Sequence, residues 1–233
     1  MPTNESIQEL FNGIAPKYDR MNHLMSFNAD RGWRRKAVRQ IVEGDGALQV
    51  LDLATGTGDL AIAIAKRLPA GGNVTGIDLS EKMLAIGREK VRKAGWDSVV
   101  TFATGNAEAL PFGDGSFDRV SVAFGVRNYA DRMRGLREAC RVLRPGGRLV
   151  ILELSSPDNR FLFGLYKFYT LKILPWLGGL VGGNRSAYTY LSESVLAFPK
   201  PPEFLPMLLQ AGFSHGEVRN LTFGVCRLYT AVK

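Results

Sequence analysis

Cysteine and histidine are scarce in this chain of 233 residues: Cys140 and Cys226, His23 and His215. The two cysteines stand far apart and outside any C-x-x-C spacing, which excludes a disulfide framework and fits a reduced, cytosolic protein. So few thiol and imidazole ligands leave no zinc site of ordinary type. No G-x-x-x-x-G-K-[ST] stretch occurs, which removes the usual nucleoside-triphosphate loop. Internal repeats and low-complexity tracts are absent. The N-terminal MPTNESIQEL is polar where a secretory signal has an apolar core. What the chain does have is 45% hydrophobic residues and a formal charge of +8. The first suits one α/β domain with a sizeable core and an inserted subdomain. The second is compatible with nucleic acid, an anionic membrane surface, or neither.

From Gln49 onward, strand and helix patterns alternate. Strands are expected at Gln49–Thr55, Asn73–Leu79, Ser98–Asn106, Ser116–Val126 and Arg148–Leu154. Helices are expected over Gly58–Leu68, from an N-cap at Ser80 to a C-cap at Gly95, and over Ala130–Gly147, where Pro-Gly-Gly stops the last. Such alternation implies parallel strands with right-handed crossovers. The ending differs. After the helical PPEFLPMLLQAGF, EVRNLTFG and VCRLYTAVK are β-patterned with too little chain between them for a crossover, so they pair antiparallel. The predicted fold is α/β: a seven-stranded, Rossmann-like methyltransferase sheet of five parallel strands plus a C-terminal antiparallel hairpin, with helices on both faces.

The turn in LDLATGTGDLAIAIAK (Leu51–Lys66) carries the chemistry. Gly56, Gly58 and Ala61 fit the dinucleotide pattern G-x-G-x-x-G/A, with Asp78 twenty residues beyond Gly58. Asp52 points away from a dinucleotide. It lies at the carboxyl end of the first strand, facing the ligand, where a carboxylate repels a pyrophosphate but suits an ammonium and a sulfonium. Asp59 adds negative charge. The two glycines admit positive φ and close backbone approach, and the helix N-terminus can take a carboxylate instead of a phosphate. Asp78 can bind ribose hydroxyls of either cofactor, and an asparagine or backbone amide in GNAEALPF (Gly105–Phe112) can read an adenine edge. Taken singly, Asp52 reads equally well as a strand-end turn residue, and Gly56–Gly58 as a tight βα turn. Together, at this spacing, they favour S-adenosylmethionine.

Four further stretches are specific: YDRMNHLMS (Tyr18–Ser26) with Trp33, FGVRN (Phe124–Asn128), RVLRPGGRLVILELS (Arg141–Ser155) and AYTYLSESVLAFP (Ala187–Pro199). Through them the sequence resembles, over nearly its whole length, the C-methyltransferases of menaquinone and ubiquinone biosynthesis. The resemblance implies methylation of a ring carbon of a prenylated quinol by S-adenosylmethionine. It implies cofactor positions at Thr57, Asp78, Asn106 and Ala107, and at Ala123. Two positions depart from the family pattern. Asp30 stands where a histidine usually precedes the tryptophan, and Arg144 where a lysine is usual. If that histidine serves as a base in relatives, it cannot do so here.

Other candidates have two readings each. Phe11, Ile14, Tyr18, Met21 and Met25 share a helical face interrupted by Pro16. They make either a pair of short lid helices over the cofactor mouth or an ordinary packed helix; the resemblance favours a lid, with Tyr18 and Asn22 as substrate contacts. Arg127 and Asn128 are the candidate catalytic pair. Arg127 can stabilise a developing phenolate, being too basic to act as a base itself, with a held water or His23 taking the proton. Its other reading is a loop salt bridge. Arg134, Arg137, Arg141 and Arg144 form either a lipid-attracting face or a solvated one. In FLFGLYKFYTLKILPWLGGLVGG (Phe161–Gly183), Lys167, Lys172 and Pro175 argue against the roughly 20 uninterrupted apolar residues of a span. Two short helices joined at Pro175 are expected, with aromatic faces from Phe161, Tyr166, Phe168 and Trp176. They would wall a cavity for a prenyl tail and rest on the bilayer, or only cap the core.

The expected organisation is a helical lid over 1–47, a cofactor core over 48–154, a substrate and membrane insertion over 155–200, and a closing helix and hairpin over 201–233. The expected activity is C-methylation of a prenylated quinol, foremost demethylmenaquinol to menaquinol. Its alternatives are the 2-methoxy-6-polyprenyl-1,4-benzoquinol of ubiquinone synthesis and, behind it, RNA methylation, for which no nucleic-acid module or N-P-P-Y-like motif is found. No metal or nucleic-acid partner is expected. The location is cytoplasmic with peripheral contact at the inner face of the membrane, and a homo-oligomer is left open.

Overall fold

The computed structural model describes residues 3–44, 46–177, 179 and 185–233. Gly178, Gly182 and Gly183, expected to end the apolar insertion, lie outside the described residues. In chain order the elements are α1 (Asn4–Ile14), a 3-10 turn (Ala15–Lys17), α2 (Tyr18–Met25), α3 (Ala29–Ile41), β1 (Gln49–Leu53), α4 (Asp59–Ala65), β2 (Asn73–Asp78), α5 (Glu81–Ala94) and β3 (Val100–Thr104). They continue with β4 (Phe117–Ala123), a 3-10 turn (Val126–Asn128), α6 (Arg132–Val142), β5 (Leu143–Leu154) and α7 (Arg160–Phe168). A π turn (Tyr169–Ile173), α8 (Leu174–Leu177), α9 (Arg185–Leu196), α10 (Pro201–Gln210), β6 (His215–Leu221) and β7 (Cys226–Val232) complete it.

The sheet order is β3-β2-β1-β4-β5-β7-β6. β1 to β5 are parallel, and β7 runs antiparallel between β5 and β6, as the short last connection requires. Parallel strands must be buried on both faces, and alternate residues supply both. Val50, Val74, Val150 and Leu152 pack with α3 and α4 through Trp33, Val38, Ile41 and Ile64. Leu51, Leu53, Val120 and Ile151 pack with α6 and α10 through Leu136, Ala139, Phe204 and Leu208. Because β2 and β3 extend to one side of β1 and β4 to the other, the strand order reverses at β1/β4. A crevice opens there at the carboxyl ends.

Three local expectations need correction. Helix α6 stops at Val142, not at the Pro-Gly-Gly beyond it, because Leu143 already pairs with Phe117 of β4; the glycines are absorbed as a register shift before Arg148 meets Arg119. The joint in the insertion is not Pro175 but the π turn ahead of it. Leu174 N donates to Tyr169 O, five residues back, and in that register the carbonyl left without a donor by the proline is that of Thr170. Ser192 Oγ, from α9, donates to it at 2.5 Å. The helix therefore runs on through the proline. Lastly, Arg141 and Arg144 hold loops: Arg141 meets Glu138, Asp114 and the Phe112 carbonyl, and Arg144 meets Asp118.

Candidate active site

Asp52 stands one residue before the end of β1 and Asp78 ends β2, so both carboxylates reach the rim of the crevice. Asp52 is buried. One oxygen accepts Thr55 Oγ1 at 2.6 Å and the other Ser121 Oγ at 2.7 Å. Burial pushes its pKa up to about 6, against the pull of those two hydroxyls. Asp78 is held by backbone: Gly56 N donates to Oδ2 and Ser80 N to Oδ1, each at 2.8 Å. Burial raises this carboxyl too, outweighing the amides, and each oxygen keeps a further lone pair. Gly56 has φ 57°, and a Cβ there would point toward the Tyr18 ring, 3.9 Å away. Gly58 has φ 79° and serves packing instead: a Cβ there would lie 2.7 Å from the Phe102 ring.

Three cavities adjoin at this rim. One is edged by Asp78, Ser80, Asn106, Ala107, Ala123 and Asn128. A small one lies against Asp52, Gly56, Thr57, Asp59 and Ala123. The third is apolar, encloses about 280 Å³ and lies between α1–α2 and α7–α9. Tyr18 and Phe124 line all three. Phe124 reaches that junction from a left-handed backbone, φ 61°, directly after β4.

The N-terminal helices are fastened over the first two cavities. Gln8 Nε2 donates to Leu79 O at 2.7 Å and Ser80 Oγ to Asn12 Oδ1 at 2.7 Å. Thr57 Oγ1 donates to Asp19 Oδ1 at 2.5 Å, and Lys90 bridges Asp19, at 2.8 Å, to Asp59. Thr57 thus turns its hydroxyl to the covering helices.

Arg127 lines the apolar cavity and forms a buried pair with Glu153, Nη1 to Oε1 at 2.7 Å. Glu153 Oε2 also accepts the Arg127 amide at 3.1 Å, and Oε1 the Leu154 amide at 2.9 Å. Burial opposes the guanidinium charge, but Glu153 outweighs it and its pKa lies above the usual arginine value. Arg127 Nη1 also donates to Phe124 O, while its buried Nε has no partner. Asn128 Oδ1 accepts Tyr190 OH at 3.1 Å. Tyr18, Tyr166, Tyr169, Tyr188 and Tyr190 all line this cavity. Burial raises the pKa of each, to about 12 for Tyr166 and Tyr188, so they act as neutral hydrogen-bonding groups.

The ubiE/COQ5 methyltransferase family matches residues 2–233. A relative from Geobacter sulfurreducens, "Ubiquinone/menaquinone biosynthesis C-methyltransferase UbiE", is 46% identical over 98% of this chain and 89% of its own length. The chain belongs to this family. Another relative, "Demethylmenaquinone methyltransferase" of Bacteroides fragilis, is 42% identical over 99% of this chain and 93% of that protein. Among solved structures, a SAM-dependent methyltransferase from Aquifex aeolicus superposes with a TM-score of 0.65 at 20% identity, covering 92% of this chain and 97% of that one. At that identity the likeness concerns the fold alone.

In this family member, the cofactor, substrate and catalytic candidates gather at the three cavities, except Gly58; of the aromatics expected to wall the tail cavity only Tyr166 does, while Phe161, Phe168 and Trp176 are exposed. Tyr18, Asn22 and Arg127 border the apolar one, and Asn128 the one edged by Asp78. His23 is not on the cavity walls; its Nδ1 lies 2.8 Å from Asp30, which also accepts Ser26 and Arg34. Asp30 therefore acts as a buried anchor between α2 and α3. Sequence reasoning missed Glu153, whose signal was a carboxylate within the apolar strand RLVILEL. It also missed the tyrosines of α9, although they stand in a stretch singled out as specific.

Proposed function

We propose that this family member transfers a methyl group from S-adenosylmethionine to a ring carbon of a prenylated quinol, converting demethylmenaquinol to menaquinol. One observation carries it: a slot lined by carboxylates and glycine backbone adjoins a tyrosine-lined apolar cavity, and Tyr18 with Phe124 walls both. The slot fits the cofactor. Asp78 has free lone pairs for the ribose hydroxyls, Asn106 and Ala107 lie where the adenine edge would come, and Asp52 stands by the small cavity for the cationic end. Thr57, Gly56 and Ala123 supply its remaining walls, and Gly58 shapes the turn. When bound, S-adenosylmethionine supplies an electrophilic methyl on its sulfonium.

The chain's own residues prepare the acceptor. Arg127 lines the cavity and stays charged, so it stabilises negative charge developing on a quinol oxygen. Asn128, oriented by Tyr190, and the hydroxyl of Tyr18, with Asn22 beside it, hold the ring in place. The quinol hydroxyl gives its proton to a water beside Arg127 and Asn128; the quinolate's ring carbon would then take the methyl as the methyl's bond to sulfur breaks, and loss of the ring proton with return of a proton to the oxygen would restore the aromatic quinol. Alignment of carbon and methyl alone contributes about 7–11 kcal/mol, and closure by residues 1–47 keeps water from the cationic donor. α7, the π turn, α8 and α9 wall the tail site and bring the protein peripherally to the cytoplasmic face of the membrane. Among the described residues no helix is long and apolar enough to cross it.

Purified protein with labelled S-adenosylmethionine should methylate demethylmenaquinol, and a strain lacking the gene should accumulate that quinone by mass spectrometry. Methylation of 2-methoxy-6-polyprenyl-1,4-benzoquinol in its place would assign the ubiquinone branch. Labelling of neither would refute the proposal.

A further inference from the structure

Two loops outside the insertion carry an unusual backbone. Phe27 and Asn28, between α2 and α3, have φ 50° and 60°; Thr222 and Phe223, between β6 and β7, have φ 45° and 56°. Only Asn28 is of a type that adopts this region readily, and a β-branched threonine there is a clear outlier. Each pair holds out a phenylalanine that is 80% exposed. A simple turn does not call for phenylalanine at such a position, and strain of this kind persists where the surroundings enforce it. Here they do. Trp33 Nε1, in the helix that follows the first loop, donates to Thr222 Oγ1 of the second at 2.8 Å. Tyr169 of the π turn donates to Met25 O at 3.0 Å and packs on Phe27, centroids 6.3 Å apart. Phe27, Tyr169 and Thr222 all line the apolar cavity. Beyond the π turn's cavity side, Phe161, Leu165 and Phe168 leave an exposed apolar face on α7.

We propose that Phe27 and Phe223 are membrane anchors: they insert into an anionic bilayer beside α7 and open the apolar cavity toward its hydrocarbon. This rests on the reading of the acceptor as a prenylated quinol, which resides in the bilayer. The charges favour a lipid surface. Arg31, Arg160, Lys167 and Lys172 are exposed on the contributing segments. The acids there are engaged: Asp30 is buried, and Asp158 pairs with Arg227 and Lys200. Aromatic side chains ringed by cations without free carboxylates match an interface of acyl chains beneath anionic headgroups. The anchors come from segments far apart in the chain, so the mouth is seated by more than the insertion alone.

The test uses the full chain and phosphatidylcholine vesicles with and without phosphatidylglycerol. Wild type should float with the anionic vesicles and less so at high salt. Phe27→Ser and Phe223→Ser should each lower partitioning about tenfold, the worth of one buried phenylalanine. Phe223→Ser should keep turnover of a tail-less quinol while losing turnover of a long-tailed quinol carried in vesicles. Phe223→Trp, a conservative change, should show fluorescence quenched by brominated lipid. Wild type that floats equally with both serine variants, or an unquenched Phe223→Trp, would overturn the anchors while leaving the quinol reading intact. Failure of the wild type to float would overturn any membrane seat. Loss of self-association in lipid-free sedimentation, with flotation unchanged, would make the surface a contact between two copies and also overturn the proposal.

Discussion

Asp52 holds two demands in conflict. As a ligand-facing carboxylate it should be ionised, yet burial pushes its pKa up to about 6 from 3.8, so the ligand-free fold retains a proton that the unfolded chain has released. The unfolded chain binds fewer protons across that interval, so stability falls as pH rises from about 4 to about 6 and stays lower above it. Asp52→Asn removes the titration. The ligand-free variant should then match wild type at low pH and melt higher above pH 6, by a difference of the order of 2–3 kcal/mol, while binding S-adenosylmethionine more weakly. Thermal melts against pH, with calorimetry for the ligand, check both; a variant that melts lower than wild type at neutral pH would refute it. Glu153 presents the opposite case, a buried carboxylate that accepts the Arg127 guanidinium and two backbone amides. Its role was not legible because nothing in RLVILEL names a partner 26 residues earlier. Glu153→Gln leaves Arg127 buried without a counter-charge, a loss of about 3–5 kcal/mol in stability where one partner of such a pair is removed. Turnover should fall well beyond what the lower melting point explains, with cofactor affinity near wild type, as steady-state kinetics below the melting range and calorimetry would show. Equal losses in turnover and cofactor affinity would mean that Glu153 supports the fold only.

Elements whose boundaries are written in local chemistry were legible. Ser80 caps α5 by accepting Met83 N at 3.1 Å, and Gly95 ends it at φ 71°. Both follow from the backbone groups a helix leaves open and the residues that close them. The π turn was not legible, because its reason lies in another element. Pro175 signals a break, but the donor that satisfies the stranded Thr170 carbonyl comes from Ser192, 22 residues later. Ser192 is fully buried and also donates to Tyr188 O at 2.9 Å. Ser192→Ala should therefore cost about 1–3 kcal/mol, the penalty of a buried unsatisfied carbonyl, and loosen α9 against the π turn. Tyr188 and Tyr190 of α9 line the acceptor cavity, so KM for a quinol should rise while cofactor affinity holds. Differential scanning calorimetry and steady-state kinetics measure the two effects; an unchanged melting point would show that the carbonyl finds another donor. The apolar spacing of Phe11, Ile14 and Tyr18 made helices foreseeable there, and the family resemblance favoured a lid over a packed helix. Their fastening through Lys90 was not foreseeable, since Lys90 lies within α5 and looks like any charge on a solvated face.

At the scale of the whole molecule, connection lengths sufficed for topology. Long crossovers forced parallel strands, and the short final link forced β6 and β7 to pair antiparallel; the place of β7 beside β5 is set by the packing of the whole sheet. The meeting of distant segments was beyond reach of spacing: Tyr190 and Asn128 are 62 residues apart and share one hydrogen bond. That convergence places two ligand spaces against one pair of walls. Tyr18 rides on α2 and Phe124 follows β4, and both line the polar slot and the apolar cavity. Filling the slot should order both rings and so prepare the cavity next to it. Binding of the two ligands is then coupled, and by linkage each must alter the other's affinity by one common factor. With S-adenosylhomocysteine bound, a short-tailed menaquinone analogue should bind about fivefold or more tightly, a coupling of about 1 kcal/mol. Titrating in the reverse order should return the same factor. Tyr18→Ala removes one shared wall, and should reduce the coupling toward unity even where each ligand alone still binds. Calorimetry in both orders, on wild type and variant, measures the four affinities. Independent binding in the wild type would show that the two spaces are neighbours without communication, and the methyl transfer would then owe its order of binding to the covering helices alone.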